Sequence, residues 1–131
     1  MFVSPKFLIA DDHPLFRSAL TQAIQQTYSG ATIIECDSIN ALEAAAQEHP
    51  DTDIVFSDIN MPQMDGLTLL GKIGETSPLL KTVIISAYGD MENIRTAMNR
   101  GAFDFICKPF DFEDFEQTLS KALKTSQQIK E

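Results

Sequence analysis

The sequence is poor in positive charge, with 10 lysines and arginines against 19 aspartates and glutamates and a formal net charge of -9 over 131 residues. Nucleic acid would repel so acidic a chain, which excludes direct binding to DNA or RNA as its own task. Free phosphate would be repelled too, so any phosphate chemistry here must involve a cation. Cysteine is scarce: Cys36 and Cys107 are the only two. Both fall on predicted strands, make no metal or disulfide pattern, and suit a reducing cytoplasm. No apolar run approaches the roughly 18 residues that a membrane span needs. Met1 to Lys6 holds no signal-peptide core or cleavage site, so a cytoplasmic chain without membrane contact is expected. Repeats, low-complexity stretches and internal linkers are also missing.

What is present is an ordinary hydrophobic fraction of 44%, enough for one domain that buries roughly two-thirds of its unfolded surface. The most informative stretch is Ile54-Val55-Phe56-Ser57, an apolar, β-branched and aromatic run that ends in Asp58. It reads as a short buried strand with a carboxylate at its carboxyl end. In open α/β sheets that edge is where ligands bind.

The rest of the chain alternates. Lys6 to Ala10 is a first strand ending in Asp11-Asp12, followed by His13 and by Pro14 at a first helical position. Phe16, Leu20, Ala23, Ile24 and Thr27 recur at helical spacing, and Gly30 is read as the stop. Thr32 to Cys36 is a second strand, and Ser38 caps a helix carrying Leu42, Ala45 and Ala46. After the Asp58 strand a helix is expected from about Leu67, with Leu70 and Ile73 on one face and Pro78 at its end. Thr82 to Ile85 is a fourth strand ending in Ser86, and a fourth helix runs near Met91 to Arg100 before Gly101. Phe103 to Cys107 is a fifth strand ending in Lys108-Pro109, and Asp111 caps a last helix whose face carries Phe112, Phe115, Leu119 and Leu123. Five strands alternating with five helices predict a parallel sheet with helices on both faces.

In such a sheet all carboxyl ends share one edge. Asp11, Asp12, Asp58, Ser86 and Lys108 therefore converge, although they are distant in sequence. Three carboxylates together repel one another unless a divalent cation lies among them. Mg²⁺ (or Mn²⁺) suits hard oxygen donors, and the expected ligands are Asp12, Asp58 and the backbone carbonyl of Asn60, with Asp11 acting through water. Ser86 would donate its hydroxyl to one oxygen of a phosphoryl group and Lys108 its charge to another. Metal, hydroxyl and ammonium would together offset the charge of a phosphoryl group in transfer, with Asp58 as the nucleophile. His13 is read as a loop residue ahead of Pro14 rather than a ligand, and Cys107 as a small core residue.

The set Asp11-Asp12, Asp58-Ile59-Asn60-Met61-Pro62-Gln63-Met64-Asp65-Gly66, Ser86-Ala87 and Lys108-Pro109-Phe110 closely resembles the receiver domain of two-component response regulators. The resemblance covers about Lys6 to Leu123. It implies a flavodoxin-like (βα)5 fold with strand order 2-1-3-4-5. It also implies that Asp58 takes a phosphoryl group from a histidine on a partner kinase or histidine phosphotransfer protein. The opening Asp11-Asp12-His13-Pro14-Leu15-Phe16-Arg17 looks like receivers that precede a helix-turn-helix DNA-binding domain. The later Ser86 to Arg95 and Lys108 to Phe112 look like receivers fused to enzymatic outputs.

Two other readings have less support. A Mg²⁺-dependent aspartyl-phosphate phosphohydrolase wants an acid two residues past the nucleophile, where this chain has Asn60. A receiver-like interaction module that never takes phosphate would be expected to have lost a site residue.

Further expectations follow from the resemblance and from local chemistry. Lys108-Pro109 should be cis, since X-Pro is where cis costs little. Asn60 and Tyr88, each two residues beyond a site residue, should tune the lifetime of the phosphoryl group by controlling water. Phe105 holds the place where many receivers carry a switching tyrosine. Without a hydroxyl its rotamers differ by packing and desolvation alone. At about 25 cal/mol per Å² of exposed apolar area it should lean inward before any phosphate arrives. The face that changes would be the fourth helix, fifth strand and last helix, with Arg95, Met98 and Phe112 available to a partner. Residues 1–124 form the receiver, and 125–131 a polar helical tail or the start of a linker to an output domain. Phe112, Phe115, Leu119, Ala122, Ser126 and Ile129 make a weak coiled-coil seam, read either as a core-facing helix with a frayed polar tail or as a signalling helix that leads to an output domain and could pair two chains as a homodimer.

Overall fold

A computed structural model describes residues 4–59, 80–87 and 89–130, with side chains through residue 125. Five strands form one sheet: β1 (Lys6–Ala10), β2 (Thr32–Cys36), β3 (Ile54–Asp58), β4 (Lys81–Ala87) and β5 (Asp104–Lys108). Their order is β2-β1-β3-β4-β5, and every neighbouring pair is parallel. Four helices are described: α1 (Pro14–Thr27), α2 (Ile39–Glu48), α3 (Met91–Asn99) and α4 (Phe112–Lys130). The helix expected from Leu67 lies outside the described residues.

The two-residue period of the strands sorts the core into two layers. Phe7, Ile9, Ile54, Phe56, Val83, Ile85 and Ile106 join Leu20 and Ile24 of α1 and Phe115, Leu119, Ala122 and Leu123 of α4 in one buried cluster. Leu8, Ala10 and Val55 point the other way, onto Ile39, Leu42 and Ala45 of α2. Further along that face Ile84 meets Ile59, Ala97 and Ala102. Strands buried on both faces have no polar side to show, which is why β1 and β3 read as unbroken apolar runs.

Local chemistry sets most boundaries. Ser38 Oγ accepts the Ala41 N–H at 3.1 Å, and Asp111 Oδ1 accepts the Glu113 N–H at 2.9 Å, so both predicted caps are in place. Gly101 closes α3 with φ +105, a left-handed conformation that glycine reaches without strain. Two sequence readings need correction. Gly30 does not stop α1: the helix ends at Thr27, where the Tyr28 N–H returns to the Ile24 carbonyl. β4 runs past Ile85 through Ser86 and Ala87, which stay in the ladder opposite Cys107 and Lys108. Phe112 is 44% exposed, because it opens α4 ahead of the buried Phe115.

Candidate functional site

The site lies along the carboxyl edge of the sheet, where β1, β3 and β5 deliver acids and a base to one point. β1 ends at Ala10, so Asp11 is the first residue past the strand. Its N–H donates to the Cys36 carbonyl at 3.2 Å, and its side chain is fully buried. Asp11 Oδ1 accepts the His13 N–H at 2.8 Å, a turn in which an aspartate bonds the backbone two residues on. Arg17 Nη1, one turn into α1, donates to the Asp11 carbonyl at 2.6 Å, while its Nε donates to Glu35 Oε1 at 3.3 Å. The chain is thus held on both sides of Asp11.

Asp58 closes β3 and is only 5% exposed. Lys108 closes β5 and reaches across: its Nζ is 3.0 Å from Asp58 Oδ2 and 2.7 Å from Asp11 Oδ2. The approach to Asp11 Oδ2 is short but off the hydrogen-bond direction, so this buried oxygen is charge-paired without an aligned donor. The same Nζ lies 4.4 Å from the centroid of the Phe16 ring, a cation–π contact from the first turn of α1. Burial alone would push the Lys108 ammonium down, but the facing carboxylates of Asp11 and Asp58 outweigh that and hold its pKa above the ordinary lysine value. The Lys108–Pro109 bond is cis.

Asp11, Asp12, His13 and Asp58 each place a ligand atom within 4.8 Å of the others, a group that could hold a metal ion. The donor set fits a hard divalent cation: it is carboxylate-rich, and Asp11 Oδ2 is buried without an aligned donor. Of the residues singled out in the sequence, Asp11, Asp12, Asp58 and Lys108 come together as expected. Asn60 and Tyr88 lie outside the described residues. Ser86 is 1% exposed at the same edge, but its hydroxyl donates to Asp90 Oδ2 at 3.3 Å. Phe105 is half-buried and packs against the Ile59, Ile84, Ala97 and Ala102 cluster, bordering a groove of about 630 Å³ between β5 and the start of α4.

The sequence reading undervalued His13. It precedes Pro14 as expected, but its Nδ1 lies 3.0 Å from a carboxylate oxygen of both Asp11 and Asp12 and 3.5 Å from Lys108 Nζ. Only its adjacency to the acidic pair could have signalled this. Phe16 and Asp90 were missed as well. An aspartate four residues after Ser86, across a glycine turn, was a signal available for Asp90.

Residues 7–120 match the family model for the response regulator receiver domain. The chain belongs to that family. Receiver relatives are found among several kinds of regulator. The chain is 34% identical over 120 residues to the DNA-binding transcriptional regulator NtrC of Escherichia coli, covering 92% of this chain and 25% of NtrC. It is 37% identical over 103 residues to the glycerol metabolism activator of Pseudomonas putida, covering 79% of this chain and 47% of that protein. It is 35% identical to the chemotaxis protein CheY of Listeria monocytogenes, covering 91% of this chain and 98% of CheY. This receiver therefore spans a half or less of its first two relatives and nearly all of the third. Among solved structures, NtrX from Brucella abortus superposes with a TM-score of 0.88 at 29% identity, covering 98% of this chain and 29% of NtrX. The sheet order and the family together identify a two-component signalling module. Among the described residues no helix is long and apolar enough to cross a membrane.

Proposed function

We propose that Asp58 is the phosphoacceptor of this receiver, taking a phosphoryl group from a phosphohistidine on a partner kinase or histidine phosphotransfer protein. The observation that carries the reading is the meeting of Asp11, Asp12 and Asp58 at the edge of the sheet, with the Lys108 ammonium on Asp11 and Asp58. A carboxylate oxygen of Asp58 forms the new O–P bond. The N–P bond breaks, and its electron pair returns to the partner's imidazole. The product is a mixed anhydride on Asp58. Lys108, already 3.0 Å from Asp58, faces one transferring oxygen, and the Ser86 hydroxyl turns to another.

Asp11, Asp12, Asp58 and the Asn60 carbonyl would hold Mg²⁺ or Mn²⁺, with Asp11 acting through water. When bound, the cation supplies positive charge opposite the developing charge on the phosphoryl oxygens. Burial of Asp11 and Asp58 excludes most water from the carboxylates, which strengthens each of these interactions. Asn60 and Tyr88, each two residues beyond a site residue in the sequence, set the lifetime of the product. The chain catalyses only its own phosphorylation and slow dephosphorylation.

The phosphorylated state is reported on the face formed by α3, β5 and α4. There Phe105 borders the groove, and Met98 and Phe112 are 37% and 44% exposed. The output is set by the domain or effector protein this face meets. Relatives with DNA-binding and chemotaxis names support either arrangement. Continuation of α4 to Lys130 supports a signalling helix that leads to an output domain, and the seam spacing in its sequence would pair two chains.

The test is incubation with a small phosphodonor and Mg²⁺, read by intact mass. The expected result is one stable phosphoryl group per wild-type chain and none on Asp58→Asn. Multiple turnovers would instead favour a phosphohydrolase. No label, or equal label on the variant, would overturn the assignment.

A further inference from the structure

The Ser86 hydroxyl has one proton to donate, and in this structure it goes to Asp90 Oδ2 at 3.3 Å. Asp90 is held for that purpose by Asn93, whose Nδ2 donates to both carboxylate oxygens at 3.1 and 3.0 Å. Gly89 makes the turn between them, with φ +91, and the Asp90 N–H donates back to the Ala87 carbonyl at 3.2 Å. Asp90 is the N-cap residue of α3, yet its side chain caps no backbone N–H. An N-cap aspartate ordinarily accepts from the second or third helical N–H, here Glu92 or Asn93. The side chain has left that task to engage Ser86 and the Asn93 amide.

We propose that Asp90 is a positioning residue that holds the Ser86 hydroxyl in the resting receiver and releases it when Asp58 is phosphorylated. The inference rests on the phosphoacceptor reading of Asp58. Two acceptors compete for one hydroxyl: the Asp90 carboxylate and the phosphoryl oxygens. When the hydroxyl leaves, Asp90 can accept the backbone N–H of Asn93 and cap α3. Release of Ser86 and tightening of the first turn of α3 then become one event, and the signal enters α3 at its N-terminus. At 3.3 Å the bond is long for a hydroxyl donor, whose usual distance to oxygen is about 2.7–2.8 Å. The latch is weak, and it biases the switch by a few-fold.

The experiment measures affinity for beryllofluoride, a stable mimic of the aspartyl phosphoryl group, by ¹⁹F NMR at saturating Mg²⁺. Four proteins are compared: wild type, Asp90→Asn, Ser86→Ala and the double variant. Asparagine keeps the capacity to cap α3 but is a neutral and weaker acceptor for the hydroxyl. The latch requires Asp90→Asn to bind several-fold more tightly than wild type and to change nothing in the Ser86→Ala background. A purely structural Asp90 would have equal effects in both backgrounds, and that result overturns the proposal. Asn93→Ala, which leaves both Ser86 and Asp90 in place, should shift affinity in the same direction by less; no shift, or the opposite one, counts against it. Amide exchange gives an independent readout: the Asn93 N–H should gain protection on adduct formation in wild type. If wild type forms no adduct, the Asp58 reading fails and the latch with it. If the adduct forms without coupling between Asp90 and Ser86, the latch alone fails.

Discussion

Lys108 Nζ donates to Asp58 Oδ2 at 3.0 Å, although 50 residues of chain separate them. The meeting depends on strand order. β4 lies between β3 and β5, and the ladder places Lys108 beside Ala87, at the end of β4. From there a four-carbon stem reaches over the edge of the sheet to Asp58 and Asp11. The ammonium offsets part of the repulsion between two buried acids.

Removing that charge should cost stability. Lys108→Met leaves Asp11 and Asp58 buried without their cation. Breaking a fully buried pair costs about 3–5 kcal/mol. Here the lysine side chain keeps 24% of its exposure, so a loss of about 1–3 kcal/mol is expected by urea unfolding in EDTA. Mg²⁺ should return part of it by binding only the folded state. Unchanged unfolding midpoints would show that the pair contributes nothing.

Asp12→Ala should weaken Mg²⁺ binding while sparing the fold, because the side chain is 34% exposed and outside the core. Loss of even an outer-shell partner commonly costs about 10–100-fold in metal affinity, so at least a tenfold loss is expected by calorimetric titration. An unchanged affinity would remove Asp12 from the ligand set.

The two thiols should differ in reactivity. Burial pushes the Cys36 thiol up from 9.0 to about 11, with Asp37 adding to the effect and Arg17 opposing it. Cys107 is only partly buried. In the native protein at pH 8 a disulfide reagent should label Cys107 and spare Cys36 until urea unfolds the chain. The folded-state pKa of Cys36 lies above the unfolded one. Its share of stability is therefore complete below pH 9.0 and is lost as pH rises toward about 11. A Cys36→Ala variant should show a shallower alkaline loss of stability than wild type.

Phe105→Tyr should add a hydroxyl that favours an outward, hydrated ring. One net hydrogen bond contributes about 0.5–1.5 kcal/mol, so beryllofluoride affinity should fall about two- to tenfold. A tighter adduct would contradict an inward bias of the native phenylalanine.

Tyr88→Ala should hasten dephosphorylation by opening a path for attacking water. Decay of labelled protein in EDTA-free buffer, followed by intact mass, measures it directly. A slower or unchanged decay would refute the role.

The sheet was legible because burial on both faces removes polar residues from the strands. Ile54 to Asp58 announces both a strand and its end. The same logic misplaced the end of β4. A polar Ser86 reads as the edge of an apolar run, yet backbone pairing is indifferent to the hydroxyl and continues through Ala87. The acids and Lys108 were legible because parallel topology fixes where strand ends go. The His13 contacts were not, since Nδ1 meets Asp11 and Asp12 only after Pro14 starts α1 and turns the chain.

Because the cation facing Asp58 is covalently tethered, its local concentration is fixed by the length of a side chain rather than by the buffer. Dilution cannot remove it, and mobile ions screen a partly buried pair poorly. Chemistry at Asp58 should then resist added monovalent salt, while encounter with a partner, steered by the net charge of -9, should not. Ionic strength would thus act on which proteins this receiver meets, and leave what happens after the meeting nearly untouched.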